Sequence, residues 1–423
     1  VHADAPGQPD PAIAAWTRDL LLRPHPTFRP ELFTLVEEPA SGRIASTLNL
    51  IPQTWSYGGV EVGVGRVELV GTHPDFRRRG LVRRQMELVH RWSAEAGHLM
   101  QGITGIPWYY RQFGYEMALE LDGFRRVPVA GLAELSAGEA EPYRLRPATP
   151  DDIPFLAATD DHGRRRSLVW CVRDEAIWRY ELDGRSEGNL SRRVLRVIET
   201  AVPEGEAARP VGWVAHAPVL WGQALGVSAC ELAPGISWLA VAPVLLRALR
   251  VIGEGYATDG SAAGGTPRPA RFERVVLVLG TDHPLYRALP ERARDVVPAY
   301  AWYVRVPDLP AFLLRVAPVF EARLADSPAA GHSGELKLNF YQGGLRLSFA
   351  AGRLVAAEPW PEPEYHQAGA SFPPLTFLHL LFGRRSLAEL ERAFPDCRAR
   401  TEEARVLLDA LFPPRPSLVW PVA

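Results

Sequence analysis

The spacing of apolar and polar positions changes several times along the chain, and each change marks an element. Residues 11–22 (PAIAAWTRDLLL) carry apolar side chains at helical spacing after a polar, proline-rich start, which predicts a short amphipathic helix. Strand-like runs follow at 32–36, 43–50 and 60–72, with Gly58 and Gly59 as the hairpin turn between the last two. From Leu81 to Ala96 the period becomes helical, with Leu81, Met86, Val89 and Trp92 on one side. Gly97 supplies the left-handed residue that ends such a helix, and residues 99–104 return to a strand. Meander, strand, loop, helix and strand make an α+β plan.

The pattern restarts over 143–161 (YRLRPATPDDIPFLAATDD), where a strand ends in Pro147, Thr149 caps, and a helix follows with acids in its first turn. The small, acidic stretch 136–142 before it predicts a domain boundary near residue 140. Strands are expected at 213–218, 227–232 and 238–241, then a helix over 243–252 with Pro243 in its first turn. Residues 253–269, rich in Gly, Ala, Ser and Thr, predict a long flexible loop. An apolar strand at 275–280 and a short helix at 285–289 close this unit. A third unit opens near Ala301 with an amphipathic helix over 309–324. Paired strands over 335–357 turn at Gly343, Gly344 and Gly352, and helices at 375–381 and 386–393 lead to a proline-rich tail. The expected domains are therefore 1–140, 141–300 and 301–423.

Composition adds limits. The chain has 423 residues, enough for about three domains, and its 47% hydrophobic and 23% charged residues are an ordinary globular balance. A net charge of -2 gives no global basicity to recruit nucleic acid or anionic lipid, although Arg77–Arg79 and Arg164–Arg166 are local arginine clusters. Lys337 is the only lysine. Cys171, Cys230 and Cys397 are scattered, which fits a reducing compartment and suggests neither disulfide nor zinc. The 11 histidines show no HxxxH or HExxH spacing, so no metal is expected. No apolar run reaches the roughly 20 residues of a membrane span and no signal peptide is evident, so a cytoplasmic protein is expected. A first residue other than Met suggests a trimmed N-terminus.

The most informative stretch is 67–83, VELVGTHPDFRRRGLVR. A strand runs into a loop holding Arg77, Arg78 and Arg79; Gly80 follows and a helix begins with Leu81, Val82 and Arg83. Free N–H groups at a helix N-terminus attract anions, glycine lets backbone approach a phosphate, and arginines add bidentate contacts. This reads as a pyrophosphate site at a strand end. Glu68 lies in the strand that feeds it; a carboxylate in a mostly apolar strand is a candidate base, its pKa raised by partial burial, unless it faces solvent or pairs with an arginine. His73, before Pro74, reads as a turn residue.

The run from Val70 to Val82 resembles motif A of the GNAT superfamily of N-acetyltransferases, Arg/Gln-x-x-Gly-x-Gly/Ala, with Val82 departing from the small last residue. RRRGL followed by an aliphatic residue is similar to the enhanced intracellular survival (Eis) branch, and WYYRQFGY at 108–115 resembles that family's Tyr-x-x-Phe-Gly-Tyr. The resemblance implies tandem GNAT folds followed by a sterol-carrier-protein-like α/β domain, within an α+β class. The first copy would lack its opening strand, and the second would be degenerate, because 239–246 (LAVAPVLL) has neither arginine nor glycine. It further implies acetyl-CoA as cosubstrate, with Val70, Gly71 and Thr72 on its pantetheine and thioester and Arg77–Arg83 on its pyrophosphate. Tyr110 would be the general acid. The base would be Glu68 through water, or a C-terminal carboxylate as in the Eis branch. The acceptor would be a primary amine of an aminoglycoside, polyamine or lysine, and the assembly a homo-oligomer, with a hexamer as one form. A non-catalytic protein that binds an apolar ligand or acyl-CoA is the alternative.

Overall fold

The computed structural model describes residues 3–5, 8–136, 138–203, 206–258 and 271–423. Helix α1 (Pro11–Leu22) starts where the Asp10 carboxylate accepts the Ala12 and Ile13 N–H groups at 2.7 and 3.1 Å. It buries Trp16 and Leu20. Strand β1 (Phe33–Glu38) leads to a long hairpin, β2 (Arg43–Tyr57) and β3 (Val60–Thr72), followed by α2 (Leu81–Glu95), β4 (Met100–Ile103), β5 (Glu116–Leu121) and β6 (Phe124–Pro128). The restart appears as β7 (Tyr143–Pro147), a capping box of Thr149 and Asp152, α3 (Ile153–Arg164) and β8 (Val169–Cys171). Then come β9 (Val194–Thr200), β10 (Pro210–His216), β11 (Ala224–Leu232), α4 (Trp238–Thr258), β12 (Arg274–Leu277), β13 (Asp295–Val297) and β14 (Tyr300–Arg305).

These strands form two interlocked mixed sheets. The first runs β8-β2-β3-β4-β14-β5, with β1 also on β2; the second runs β13-β6-β12-β11-β10-β9-β7. Strand β14 lies antiparallel between β4 and β5, pairing Tyr303 with Ile103 and Trp302 with Leu119. Strand β6 crosses the other way and pairs Val127 with Val275 of β12. Sheet membership therefore does not follow the cuts at 140 and 300. Periodicity identifies a strand and its buried face, whereas its partner is set by tertiary packing.

Beyond β14, helices α5 (Leu309–Arg315) and α6 (Ala317–Ala325) replace the single expected helix; the break at Val316 precedes Pro318. A third sheet is built from β15 (Gly334–Asn339), β16 (Gly344–Ala350), β17 (Arg353–Trp360), β18 (Ala370–Ser371) and β19 (Arg398–Ala399), in the order β17-β16-β15-β18-β19. Its core is continuous with the first sheet: Trp55, Tyr57, Phe312, Phe320, Phe382 and Phe412 share one buried cluster. The expected strand at 238–241 is instead the first turn of α4, which buries Val241, Ala242, Leu245, Leu246 and Leu249. Four apolar residues in a row carry no period, and length decides for the helix. Pro243 sits within α4, not at its start. The predicted loop at 253–269 is helical to Thr258, and its remainder lies outside the described residues.

Three half-buried or buried histidines are held neutral. Burial, reinforced by Arg185, pulls His25 down to about 3. Burial with Arg305 pulls His90 to about 4. Burial also pulls His216 to about 4; its Nε2 accepts from Arg196 Nε at 3.0 Å and its Nδ1 lies 2.8 Å from the Ala217 carbonyl, which fixes the neutral tautomer. Their folded pKa values lie below those of the unfolded chain, so acid protonates the unfolded state first. Stability should fall as pH drops from 6.5 towards 4, by up to about 1.4 kcal/mol per pH unit for each histidine. Urea midpoints measured near neutrality and near pH 5 check this, and equal midpoints would contradict it.

Candidate active site

The site begins where two parallel strands part. Strand β3 pairs with β4 only over Val64–Arg66 against Met100–Gly102, then continues to Thr72 with an open edge. On its other edge the register with β2 slips between Thr47–Gly71 and Asn49–Glu68, a bulge that leaves Leu69 at φ 51°. A branched residue in the left-handed region is strained, and burial against Trp16, Ile51 and Ala423 holds it there. The bulge redirects Val70, Gly71 and Thr72 along the open edge.

All ten residues expected to bind the cofactor, Val70, Gly71, Thr72, Arg77, Arg78, Arg79, Gly80, Leu81, Val82 and Arg83, line one cavity of about 910 Å³. Helix α2 opens into it from Gly80 at φ 73°, and no side chain caps its N-terminus. Its first N–H groups and the positive end of its dipole thus face the cavity side of the loop. Three arginines are braced by neighbours. Arg77 Nε donates to the Thr72 carbonyl at 3.4 Å, Arg79 donates to the Asp75 carbonyl at 3.1 Å and lies over Phe76, and Arg83 donates to Gln112 at 2.9 Å and lies over Phe113. His73 accepts the Asp75 N–H at 3.3 Å, the turn role read for it. A buried relay absent from the sequence reading ties α2 to the strands. Ser46 donates to Gln85 Oε1 at 2.7 Å, and Gln85 Nε2 donates to Thr34 at 2.7 Å. The counterpart stretch in the second unit, 239–246, is helical.

Tyr110 lies in the single turn Tyr109–Phe113, bracketed by Trp108 at φ 61° and Gly114 at φ 84°. It is buried, with Tyr109, Tyr303 and Tyr115 packed edge-on at ring distances of 5.2, 5.4 and 6.4 Å. Burial, and then the Glu68 negative charge, push its phenol well above the usual range. Tyr303, which sequence reasoning missed, comes from the exchanged strand β14. Its hydroxyl accepts the Trp108 N–H at 2.5 Å and donates to the Ile106 carbonyl at 3.2 Å, pinning the turn.

Glu68 opens onto a second cavity of about 660 Å³, with Trp16, Arg66, Trp302, Arg193 and Ala423. Its carboxylate is paired: Arg66 Nη2 donates to Oε1 at 2.6 Å. Arg66 and Gln53 also donate to the Val422 carbonyl at 2.9 and 2.6 Å, and Arg185 and Tyr180 donate to Ala423 O at 2.9 and 3.2 Å. Trp420 stacks on Trp213 under Arg173, which lies 4.0 Å from its ring centroid. Residues 416–423 are thus woven between the two sheets. Among the described residues no group of His, Cys, Asp and Glu could hold a metal ion, and no helix is long and apolar enough to cross a membrane.

The family model of the acetyltransferase (GNAT) domain matches residues 20–118. The chain is similar in fold to a GCN5-related N-acetyltransferase from Kribbella flavida (19% identity, TM-score 0.61, covering 93% of this chain and 90% of that one). It is similar to another from Anabaena variabilis (17%, TM-score 0.61, 92% and 89%) and to Eis1 from Mycobacterium abscessus (17%, TM-score 0.56, 96% and 93%). A search of curated proteins finds no match.

A Cβ on Gly80 would meet nothing within 4 Å, so its φ of 73° alone makes substitution costly. Gly80→Ala should lose about 1–2 kcal/mol of stability, read from urea denaturation; an unchanged midpoint would refute the strain argument. The splayed strands and the arginine-ringed helix terminus thus lie together in the stretch, residues 20–118, that matches the GNAT acetyltransferase domain model, in a chain similar in fold to Eis1 and GCN5-related N-acetyltransferases.

Proposed function

We propose that this protein is an N-acetyltransferase that moves the acetyl group of acetyl-CoA to a primary amine. The observation that carries the reading is the placement of all ten predicted cofactor residues on one cavity, at an uncapped helix N-terminus beside an open strand edge. The helix N–H groups and Arg77–Arg79 suit a pyrophosphate. The free edge of β3 at Val70–Thr72 suits the amides of a pantetheine arm, which can pair there as an added strand does.

In the proposed reaction the neutral amine attacks the thioester carbonyl. A C–N bond forms, the C–S bond breaks, and the electron pair leaves on the thiolate of CoA. Tyr110 is the general acid: its phenol donates a proton towards that sulfur, while the amine gives up its own proton to a base. Glu68, through water, is the base candidate, with Arg66 holding it in place; a carboxylate at the C-terminal end is the other, and Arg185 already faces that position. The products are the acetamide and CoA-SH, with the phenol restored from solvent. Because its pKa is raised, Tyr110 stays protonated, and no alkaline decline in kcat should come from it below about pH 10.

The acceptor class favoured by family likeness is an aminoglycoside, polyamine or lysine amine. We also propose a cytoplasmic homo-oligomer, with a hexamer as one form. The third unit would be a sterol-carrier-like module used as scaffold, which its core continuous with the first sheet favours over ligand carriage.

CoA-SH release with a panel of amines tests the reading. Tyr110→Phe should lower kcat about 100-fold or more with the acetyl-CoA KM nearly unchanged. The Arg78→Ala/Arg79→Ala double variant should raise that KM and spare kcat. Failure of acetyl-CoA to bind would overturn the proposal, and a Tyr110→Phe variant with full kcat would remove Tyr110 from it.

A further inference from the structure

The second cavity holds an unmatched hydrogen-bond donor. The side chains lining it include Arg66, Arg126 and Arg193 against Glu68 and Asp122. Arg66 is committed to Glu68 at 2.6 Å, and Arg126 reaches Asp295 at 3.3 Å. Arg193 has no carboxylate within ion-pair distance among the described residues. It is instead braced: Nε donates to Ser228 Oγ at 2.8 Å, and Nη1 donates to the Leu190 and Arg192 carbonyls at 3.1 and 2.8 Å. That leaves Nη2 without a protein acceptor among the described residues. Burial, reinforced by Arg185, pulls the guanidinium down to about 10, against the opposing pull of the Glu181 and Asp122 charges.

The indole N–H groups of Trp16 and Trp302 and Nε of Arg66 are buried without a hydrogen-bond partner, and all three residues line the cavity. Those three atoms are closed to solvent, so the donor left for a ligand is Arg193 Nη2, whose complement is an acceptor oxygen. The rest of the wall includes Trp221, Trp420 and Phe124, broad aromatic faces suited to a flat apolar body. A guanidinium near Trp221, 5.8 Å from its ring centroid, offers a carboxylate a planar fork beside that surface. A polyamine or aminoglycoside could meet Glu68 and Asp122 on the same wall but would bring no anion to Arg193.

Resting on the acetyltransferase reading above, we propose that the acceptor carries a carboxylate and an aromatic body beside its amine, as an aromatic amino acid does, and that Arg193 binds the carboxylate. Asp122, close enough for its charge to be felt at Arg193, shapes the same wall.

The test compares phenylalanine with phenethylamine, which differ only by the carboxylate, alongside spermidine and an aminoglycoside. Acetylation is followed by CoA-SH release, and phenylalanine binding is followed separately by calorimetry without acetyl-CoA. The expected result is a kcat/KM for phenylalanine about ten- to a hundred-fold above that for phenethylamine. Arg193→Gln should erase that preference and the calorimetric signal, leaving the acetyl-CoA KM unchanged, and Arg193→Lys should restore part of both. Turnover of phenethylamine, spermidine or the aminoglycoside at or above the phenylalanine rate would overturn the assignment, as would wild-type phenylalanine kinetics in Arg193→Gln. If phenylalanine binds through Arg193 but acetyl-CoA does not bind, the cavity assignment survives as a binding site and the acetyltransferase reading fails. If acetyl-CoA is used with other amines while phenylalanine does not bind, the reverse holds.

Discussion

The site depends on the parting of β3 from β4 after Arg66. Two parallel strands that stayed paired to their ends would bury every backbone group, leaving no free edge for a ligand's amides and no gap for its chain. The structure enforces the gap from both sides. Strand β4 is tied to β14 on its far edge, while β3 is drawn towards β2 and bent by the bulge at Leu69. The strain at that leucine is offset by apolar burial from α1 and the C-terminal residues, so elements remote in sequence maintain one local distortion.

Either side of the parting the chemistry differs. The α2 side is exposed, cationic and made of consecutive residues, so a phosphate there meets backbone as much as side chains. The opposite side is buried and assembled from both sheets and the C-terminal segment, with charges held in close pairs such as Arg66–Glu68 and Arg185–Glu181. Removing one member of such a pair leaves an uncompensated buried charge, so the geometry of this wall is more sensitive to substitution than that of the loop. Tyr110 lines neither cavity; it is buried in the chain's packing, against Tyr303 and close enough to Glu68 to feel its charge.

How much of this was legible in the sequence follows from how local each feature is. The helix after Gly80, the hairpin at Gly58 and Gly59, the capping box at Thr149 and the arginine loop are written in neighbouring residues and could be read there. The strand expected at 238–241 failed because its apolar run has no period and becomes decisive only with the buried residues one and two turns later. Glu68 could be marked as unusual, and pairing with an arginine was one reading of it; the partner is Arg66, two residues back on the same strand face and before the bulge. Arg193, Tyr303 and the unpartnered indoles carried no local signal. Their roles exist only once residues hundreds of positions apart are brought onto one wall.

The exchange of strands also has a temporal side. Strand β14 begins at Tyr300, so during synthesis the gap between β4 and β5 has no occupant until well over a hundred residues after β5 have emerged. At about 5–20 residues per second, that wait is on the order of ten to forty seconds. Through it the N-terminal half carries unpaired strand edges at the very place where its turn at Tyr110 must later be pinned by Tyr303. Both halves must be complete before either sheet is, which couples the assembly of the arginine loop's scaffold to the integrity of the whole chain.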